Sequence, residues 1–274
     1  MIDTGPKTAE AFEIVKKIDL KSIKNVVVTH GHVDHHGLAF YIKEITGCRV
    51  FVHKNDFLPV LDYKNELERK SKDYKEFLEK SGISKEVVVL FEKYYKAFKD
   101  YGEKCEVELL KDTCETENGL LKVIHTPGHT GGSCCFLLGD ILYSGDTLLP
   151  TISTNPSIHA IFDDQCGLKN YQESLKKILE FDLKKVFPGH GHVIEDHRKR
   201  IQEILHEHTE RKEKVAASLS RKPQTLVEVT EKVFGKVPLT EVLLALAECY
   251  DHLRILEKEG VVEVVEKEVY YFRL

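Results

Sequence analysis

Short apolar runs alternate with amphipathic segments along the first 195 residues of the chain. A β-branched run at residues 25–29 and a second apolar run at residues 49–53 predict buried strands. Between them, residues 38–46 have a helical pattern that ends at Gly47. Further short strands are predicted at residues 121–125, 134–138, 141–144 and 185–187. Because strands that alternate with helices form layered domains, an α/β domain is predicted over residues 1–195.

Residues 56–101 interrupt this alternation with a helical insert that is rich in Lys and Glu. Gly82 and Gly102 stand where two helices would end, and Ser84 can cap the second of them. Aromatic rings recur along that second helix at helical spacing: Phe91, Tyr94 or Tyr95, Phe98 and Tyr101. The first interpretation is a stripe that packs the insert onto the domain, and the alternative is that some of the rings roof a substrate pocket.

The pattern changes again after residue 195. A strongly charged helical segment at residues 196–215 predicts a linker helix. A short helix is then predicted at residues 225–234, a longer helix is capped by Thr240, and β-rich stretches follow at residues 261–265 and 269–272. Helices followed by a terminal β-hairpin are the plan of a winged helix, so a winged-helix-like domain is predicted over residues 216–274.

Composition and charge narrow the class of protein. Of the 274 residues 42% are hydrophobic and 31% are charged, as in globular proteins, and the net charge of −5 provides no overall attraction to nucleic acid or an anionic membrane. No run of 18 apolar residues occurs, so no membrane span is expected. The seven cysteines include no CxxC pair, which favours a reducing, cytoplasmic compartment over a disulfide framework.

A dense cluster of ligand-type residues follows the first predicted strand. Five of the seven residues at positions 30–36 are His or Asp, and the burial of so many imidazoles without partners would be costly. Imidazole and carboxylate are the usual nitrogen and oxygen ligands of zinc and similar ions. The spacing H-x-H-x-D-H suits a turn in which alternate residues reach one ion and the Asp-His pair reaches a second. Three later turns each place one such residue after a strand: His129, Asp146 and His190.

These four elements, in this order, resemble the metallo-β-lactamase superfamily, and Asp3-Thr4-Gly5 resembles the early Asp-x-Gly element of that family. The resemblance spans residues 3–191 and implies an αββα sandwich with a metal site at one edge of the paired sheets. It also implies the metal ligands. The first ion would be held by His30, His32 and His129, the second by Asp34, His35 and His190, with Asp146 as a bridge. Zinc is the first expectation for both ions, although iron and manganese suit the same ligands.

A pair of ions in such a site predicts a metal-dependent hydrolase. Two cations about 3.5–4 Å apart lower the pKa of a shared water enough to supply hydroxide at neutral pH, and they polarise the scissile group. Asp34 would then be both a ligand and the catalytic residue that orients the hydroxide. Tyr171, at the start of an amphipathic helix, and His192 are weaker candidates for contact with substrate. His125 is a candidate to support His129, and His197, His206 and His208 are expected to be solvated on the charged helix.

Two substrates compete. A metallo-β-lactamase domain with an appended winged helix is similar to a subgroup whose members resemble hydroxyacylglutathione hydrolase or act on single-stranded RNA. The first hypothesis is therefore hydrolysis of a small ester or thioester, and the alternative is an endoribonuclease. Residues 213–274 hold 9 Lys or Arg and 11 Asp or Glu, whereas a nucleic-acid reader usually has a basic face. Basic clusters at residues 198–200, 211–212 and 221–222 keep the RNA hypothesis open. A non-catalytic metal-binding or regulatory protein is the third hypothesis.

The start of the chain carries a further expectation. In the family the Asp-x-Gly element normally follows two or three strands, whereas here it begins at Asp3. A sandwich that lacks its first strands would leave an open sheet edge and an exposed apolar face. Homodimerisation or impaired stability is expected from such an edge.

Overall fold

Two β-sheets face each other in the computed structural model, which describes residues 1–266 and 269–274. The first sheet is parallel and has the order β1-β2-β3, with β1 (Asn25–Val27), β2 (Arg49–Val52) and β3 (Glu108–Leu109). The second has the order β4 to β8, with β4 (Thr113–Thr116), β5 (Gly119–His125), β6 (Cys134–Leu138), β7 (Ile141–Gly145) and β8 (Lys185–Pro188). Strands β4 to β7 form an antiparallel meander, and β8 is parallel to β7.

The α-helices divide into those of the sandwich and those added to it. The sandwich holds α1 (Ala9–Val15), α2 (Val33–His36), α3 (Ala39–Thr46), α7 (Ser157–Ala160), α8 (Leu168–Ile178) and α9 (His197–Ser218). The insert holds α4 (Phe57–Leu61), α5 (Tyr63–Lys80) and α6 (Lys85–Lys96), and the C-terminal segment holds α10 (Leu226–Phe234) and α11 (Leu239–Lys258). Short 3₁₀ turns lie at Leu20–Ser22, Lys54–Asp56 and Ala97–Asp100.

Burial on both faces explains the continuous apolar character of β1. Val26 and Val28 pack outward against α1 and α3, whereas Val27 faces the second sheet and contacts a cluster that includes Phe136. On the far side, α8 and α9 cover the second sheet through a separate cluster that includes Leu175. The layers are therefore helix, sheet, sheet and helix, which is the αββα arrangement expected from the sequence.

The C-terminal segment shares one hydrophobic core with the helical insert. Three antiparallel strands in the order β10-β11-β9 complete the segment, with β9 (Gln224–Thr225), β10 (Glu263–Glu266) and β11 (Tyr270–Arg273). Phe77 and Phe91 of the insert lie in the same core as Leu246, Leu253 and Phe272 of the C-terminal segment. The C-terminal segment is thus held by packing against the insert as well as by its covalent connection to α9.

Local signals account for most helix ends. Gly47 ends α3 in the left-handed conformation (φ 69°), and a capping box of Thr225 and Glu228 begins α10. Thr240 was predicted to cap the last long helix, but α11 begins one residue earlier, at Leu239, after Pro238. Among the described helices, none is both long enough and apolar enough to cross a membrane.

Candidate metal centre

The seven predicted ligands meet at one edge of the paired sheets. Each is delivered by a strand end or by the short helix that follows one: His30, His32, Asp34 and His35 after β1, His129 after β5, Asp146 after β7, and His190 after β8. Their donor atoms form three overlapping groups in which all ligand atoms lie within 4.8 Å of one another. The structure therefore brings together all seven residues that were predicted as metal ligands.

The first group consists of three imidazoles. His32 Nδ1 lies 3.1 Å from His30 Nε2 and 2.9 Å from His129 Nε2, so one nitrogen of each ring faces a common point. Burial is the main cause that lowers the pKa of all three side chains, and the neighbouring histidines lower the pKa of His30 and His32 further. Neutral imidazole is the form that binds a metal ion.

The second group is more open. His190 Nε2 lies 3.1 Å from Asp34 Oδ2 and 3.3 Å from His35 Nε2. About half of the side chains of His190 and Asp34 is exposed, whereas His35 is buried. Burial opposes ionisation of Asp34, but the adjacent histidines outweigh burial and hold the pKa of Asp34 below its usual range. An ionised, solvent-facing carboxylate therefore lies at the mouth of the site.

Asp146 lies between the two groups. Its Oδ1 is 3.4 Å from His35 Nε2 and 3.6 Å from His190 Nε2, and its Oδ2 is 3.7 Å from His129 Nε2. Oδ1 is buried and has no hydrogen-bond partner among the described residues. A buried carboxylate oxygen without a donor is unusual unless a cation or water satisfies it. This atom, between convergent imidazoles, fits a bridging ligand of two divalent ions.

Three of the imidazoles are oriented from behind by oxygen atoms. His35 Nδ1 donates to Asp3 Oδ2 at 2.7 Å, and His129 Nδ1 lies 2.7 Å from Thr154 Oγ1. Thr29 donates its hydroxyl to Asp3 and lies 3.0 Å from His30 Nδ1, so its oxygen can accept the N–H of His30. When the outer nitrogen of each ring donates to its oxygen atom, the inner nitrogen is left free to bind a metal ion.

Asp56 ties two ligand-bearing loops together, and nothing in the sequence pattern singled it out. Its Oδ2 accepts from Gly31 N at 2.7 Å and from Thr130 Oγ1 at 2.6 Å, and its Oδ1 accepts from Gly132 N at 3.1 Å. Gly31 lies between His30 and His32, and Gly132 follows His129 by three residues. The side chain of Asp56 is buried, which raises its pKa despite these donors.

A cavity of about 490 Å³ opens above the centre. Its lining includes His32, Asp34, His129 and Asp146 of the centre, and the insert contributes Pro59, Tyr63, Glu66, Leu67, Lys70, Tyr74, Tyr95 and Phe98. The side wall includes Leu149, Ile152, Ile158 and His159, together with Leu244 from α11. Phe91 packs in the shared core, Tyr95 contacts that core and also lines the cavity, and Phe98 lines the cavity.

Two predicted substrate contacts are not in this cavity. Tyr171 is fully buried among the α8 contacts, and its hydroxyl donates to Thr147 O at 2.9 Å. His192 is exposed beside Pro150 and Glu195 on another part of the surface. The geometry therefore does not support a substrate contact for either side chain.

Some of the remaining histidines are buried and others are exposed, and the charged character of α9 did not predict which. His206 is exposed as expected, but His197 and His208 are buried on the inner face of α9, which corrects the expectation of solvation. His125 Nε2 lies 2.9 Å from Gly131 O and so supports the turn that carries His129. His159 is buried with its Nε2 at 2.9 Å from His32 Nε2.

Comparisons with known proteins agree with this architecture. Over its full length the chain is 27% identical to a Bacillus subtilis protein named "Probable metallo-hydrolase YqjP", of which it covers 89%. It is 28% identical over 136 residues to the atrochrysone carboxyl ACP thioesterase of Aspergillus fumigatus, a match that covers 44% of this chain and 40% of that protein. The crystal structure of a metallo-beta-lactamase family protein from Thermus thermophilus superposes with a TM-score of 0.83 at 26% identity, and the match covers 100% of this chain and 89% of that one.

The family itself is shown by the extent of its match. The model of the metallo-beta-lactamase superfamily matches residues 1–190, which include all seven clustered His and Asp side chains. The full-length similarity to a metallo-hydrolase extends the relation through the C-terminal segment. The chain therefore belongs to the metallo-beta-lactamase superfamily and is a hydrolase of that fold.

Proposed function

We propose that this protein hydrolyses a small ester or thioester, in the manner of a hydroxyacylglutathione hydrolase, with two divalent metal ions in the centre and zinc as the first choice. The observation that carries the proposal is the roofed, largely apolar cavity above the seven clustered side chains. Its volume of about 490 Å³ lies within the range of small-molecule sites. The thioesterase among the relatives supports the same substrate class.

The chain's own residues have distinct roles in this reaction. Two divalent ions bound in the centre would lower the pKa of water and polarise the scissile carbonyl. His30, His32 and His129 would hold one ion, Asp34, His35 and His190 the other, and Asp146 would bridge them. Asp34 lies at the cavity floor with its pKa held low, so it remains an acceptor that can orient the attacking water.

The walls of the cavity favour an apolar acyl group over a nucleic-acid strand. Leu67, Phe98 and Ile152 present apolar surface to the space above the centre, and Lys70 is the one Lys or Arg among the described lining residues. A groove that binds single-stranded RNA follows successive phosphates with several cations and stacks bases on open aromatic faces. One lysine in a roofed cavity does not provide such a track.

Two of the three basic clusters that kept the RNA hypothesis open, residues 198–200 and 211–212, are largely engaged in contacts within the fold, whereas residues 221–222 are exposed. Arg198 donates to the carbonyl oxygens of Leu179 and Phe181, and the buried Arg200 contacts Glu203 and Glu207. The next pair along the chain is occupied in the same way: Arg211 contacts Glu248, and Lys212 contacts Glu259. Side chains held in this way are poor candidates for a phosphate-binding surface.

The finer assignments of domain and setting are part of the same proposal. Residues 1–195 would form the catalytic domain with its insert at 56–101, residues 196–215 the linker helix, and residues 216–274 a winged-helix-like unit that packs on the insert. We assign this unit to closure of the cavity, because Leu244 reaches the cavity wall. The seven free cysteines favour a reducing, cytoplasmic compartment. Homodimerisation stays a prediction, to be checked by sedimentation.

A hydrolysis panel tests the substrate class. Zinc-loaded protein is offered a hydroxyacyl thioester of glutathione, p-nitrophenyl butyrate and a labelled single-stranded RNA, each at low and high salt. We expect turnover of the ester or thioester that changes little with salt, and no cleavage of RNA. His129→Ala should lower turnover by about 10³-fold, because the ion it holds stabilises the transition state by several kcal/mol. RNA cleavage that weakens steeply with salt, with no ester hydrolysis, would refute the proposal.

A matched pair of ring variants tests the roof. Phe98 lines the cavity, whereas Tyr94 stands one helical turn earlier, is 40% exposed and is not among the lining residues. Phe98→Ala should raise KM for the butyryl ester several-fold with a smaller change in kcat, since it removes apolar contact that substrate and transition state share. Tyr94→Ala removes a ring that contacts Phe98 at a centroid distance of 5.3 Å but does not line the cavity, so it should change KM much less than Phe98→Ala. Equal effects of the two substitutions would contradict the assignment of the insert as a roof.

A further inference from the structure

We propose that His159 is a positioning residue for His32, which holds the ring of that predicted ligand with Nδ1 toward His30 and His129. The proposal rests on the two-ion centre proposed above and on none of the substrate assignments. His159 lies on α7, 127 residues away from His32 in sequence, and no pattern in the sequence links the two.

The partner of His32 differs in kind from the partners of the other buried imidazoles. His35, His30 and His129 each direct their outer nitrogen at an oxygen atom, which accepts the N–H and selects one tautomer. His32 directs its Nε2 at another imidazole, His159 Nε2, at 2.9 Å. An imidazole nitrogen either donates or accepts, so the tautomer of His32 depends on the tautomer of His159.

Tyr74 completes the chain. Its hydroxyl lies 2.9 Å from His159 Nδ1, and both side chains are buried, at 1% and 5% exposure. If His159 donates from Nδ1 to Tyr74, its Nε2 lone pair accepts the N–H of His32 Nε2. His32 Nδ1 then keeps a free lone pair at the point it shares with His30 and His129. The opposite polarity places a proton on His32 Nδ1 and closes that point to a cation, so one polarity alone suits a ligand.

The position of α7 is in turn set by the C-terminal segment. Asp251 of α11 accepts from Ser157 Oγ at 2.9 Å and from Leu168 N at 2.7 Å, at the two ends of the loop that carries His159. Tyr74 belongs to α5, so His159 is held between the insert and a helix anchored by α11. The insert and the C-terminal segment therefore both influence the metal centre through His159, although neither contributes one of its seven predicted ligands.

Metal affinity separates this role from a merely structural one. Zinc affinity is measured by competition with a chromophoric chelator, and the cobalt-loaded protein is examined by its d–d absorption. His159→Leu should weaken one of the two zinc affinities by about 10–100-fold and shift the cobalt bands. His159→Gln should restore most of the affinity, since its amide oxygen can accept from His32 and its amide N–H can donate to Tyr74. Tyr74→Phe should have a smaller effect of the same sign.

The control is His252→Gln, which alters another buried histidine that no described hydrogen bond connects to His32. It should change stability but neither zinc affinity nor the cobalt spectrum. Wild-type protein that binds fewer than two zinc ions would overturn the centre and this proposal with it. Two ions in the wild type, with unchanged affinities and spectra in His159→Leu, would overturn the role of His159 alone. Equal losses in the Leu and Gln variants would also overturn it, because a hydrogen-bonding role requires rescue.

Discussion

Removal of the Asp56 carboxylate should destabilise the protein in its metal-free state. Asp56→Ala deletes three hydrogen bonds, from Gly31 N, Gly132 N and Thr130 Oγ1, at 2.7, 3.1 and 2.6 Å. Bonds to an ionised acceptor contribute about 1.5–3 kcal/mol each. The cost of burying the carboxylate, which raises the pKa of Asp56, offsets part of that sum. We therefore expect the free energy of unfolding to fall by about 3–5 kcal/mol, the range of a broken buried network.

Urea unfolding followed by far-UV circular dichroism measures this loss, because the chain contains no Trp for fluorescence. The measurement is made with excess chelator, so that metal binding does not contribute. Asp56→Asn keeps one acceptor oxygen and should lose about half as much. The control Asp140→Ala removes an exposed surface pair with Lys184 and should leave the free energy of unfolding almost unchanged. If Asp56→Ala lowers the free energy of unfolding no more than the control does, Asp56 does not hold the two loops together.

Three further outcomes follow from the same geometry. Gly189→Ala should abolish tight zinc binding, since its Cβ would lie 2.5 Å from Asp146 Oδ1 and 2.7 Å from His35 Cε1; unchanged stoichiometry by mass spectrometry would contradict this. Burial, with smaller effects from neighbouring cations, lowers the pKa of His252 to about 3, so the unfolded chain takes up a proton below pH 6.5 that the folded chain does not. The contribution of His252 to stability should therefore be full above pH 6.5 and smaller by about 2 kcal/mol at pH 5, and His252→Gln should make the urea midpoints fall less steeply between pH 7 and 5. When free zinc is present at 100 times its Kd, its removal by a chelator should lower the free energy of unfolding by about 2.7 kcal/mol. A thermal scan would show this loss as a lower Tm.

Local pattern predicted the parts of the fold that have a strong period of their own. The strands around Val27 and Phe136 are buried on both faces, and such runs remain apolar whatever they pack against. The sequence did not predict β3, β4 or β9, which are only two to four residues long and therefore leave no alternation to detect. Thr240 failed as a cap because the preceding Pro238 already sets the chain direction into α11.

Spacing within single turns also predicted the seven clustered side chains. Each lies beside a strand end, and a strand end keeps its place in the fold whatever its loop contacts. Their approach within 4.8 Å in each of three overlapping groups agrees with that expectation, and their roles as ligands await metal analysis. The sequence by itself thus determined the sandwich, the family and the place of the candidate centre.

Tertiary structure alone decided what surrounds the centre. Asp56 and His159 contact ligand-bearing segments from distant positions, and Tyr171 turns its hydroxyl into the core instead of the cavity. The packing of the insert and the C-terminal segment into one hydrophobic core was likewise not predictable from local sequence. The physical reason is that the periodicity of apolar residues shows which side of a helix or strand is buried. It does not show which other segment packs against that side, because that depends on the path of the whole chain and not on local composition.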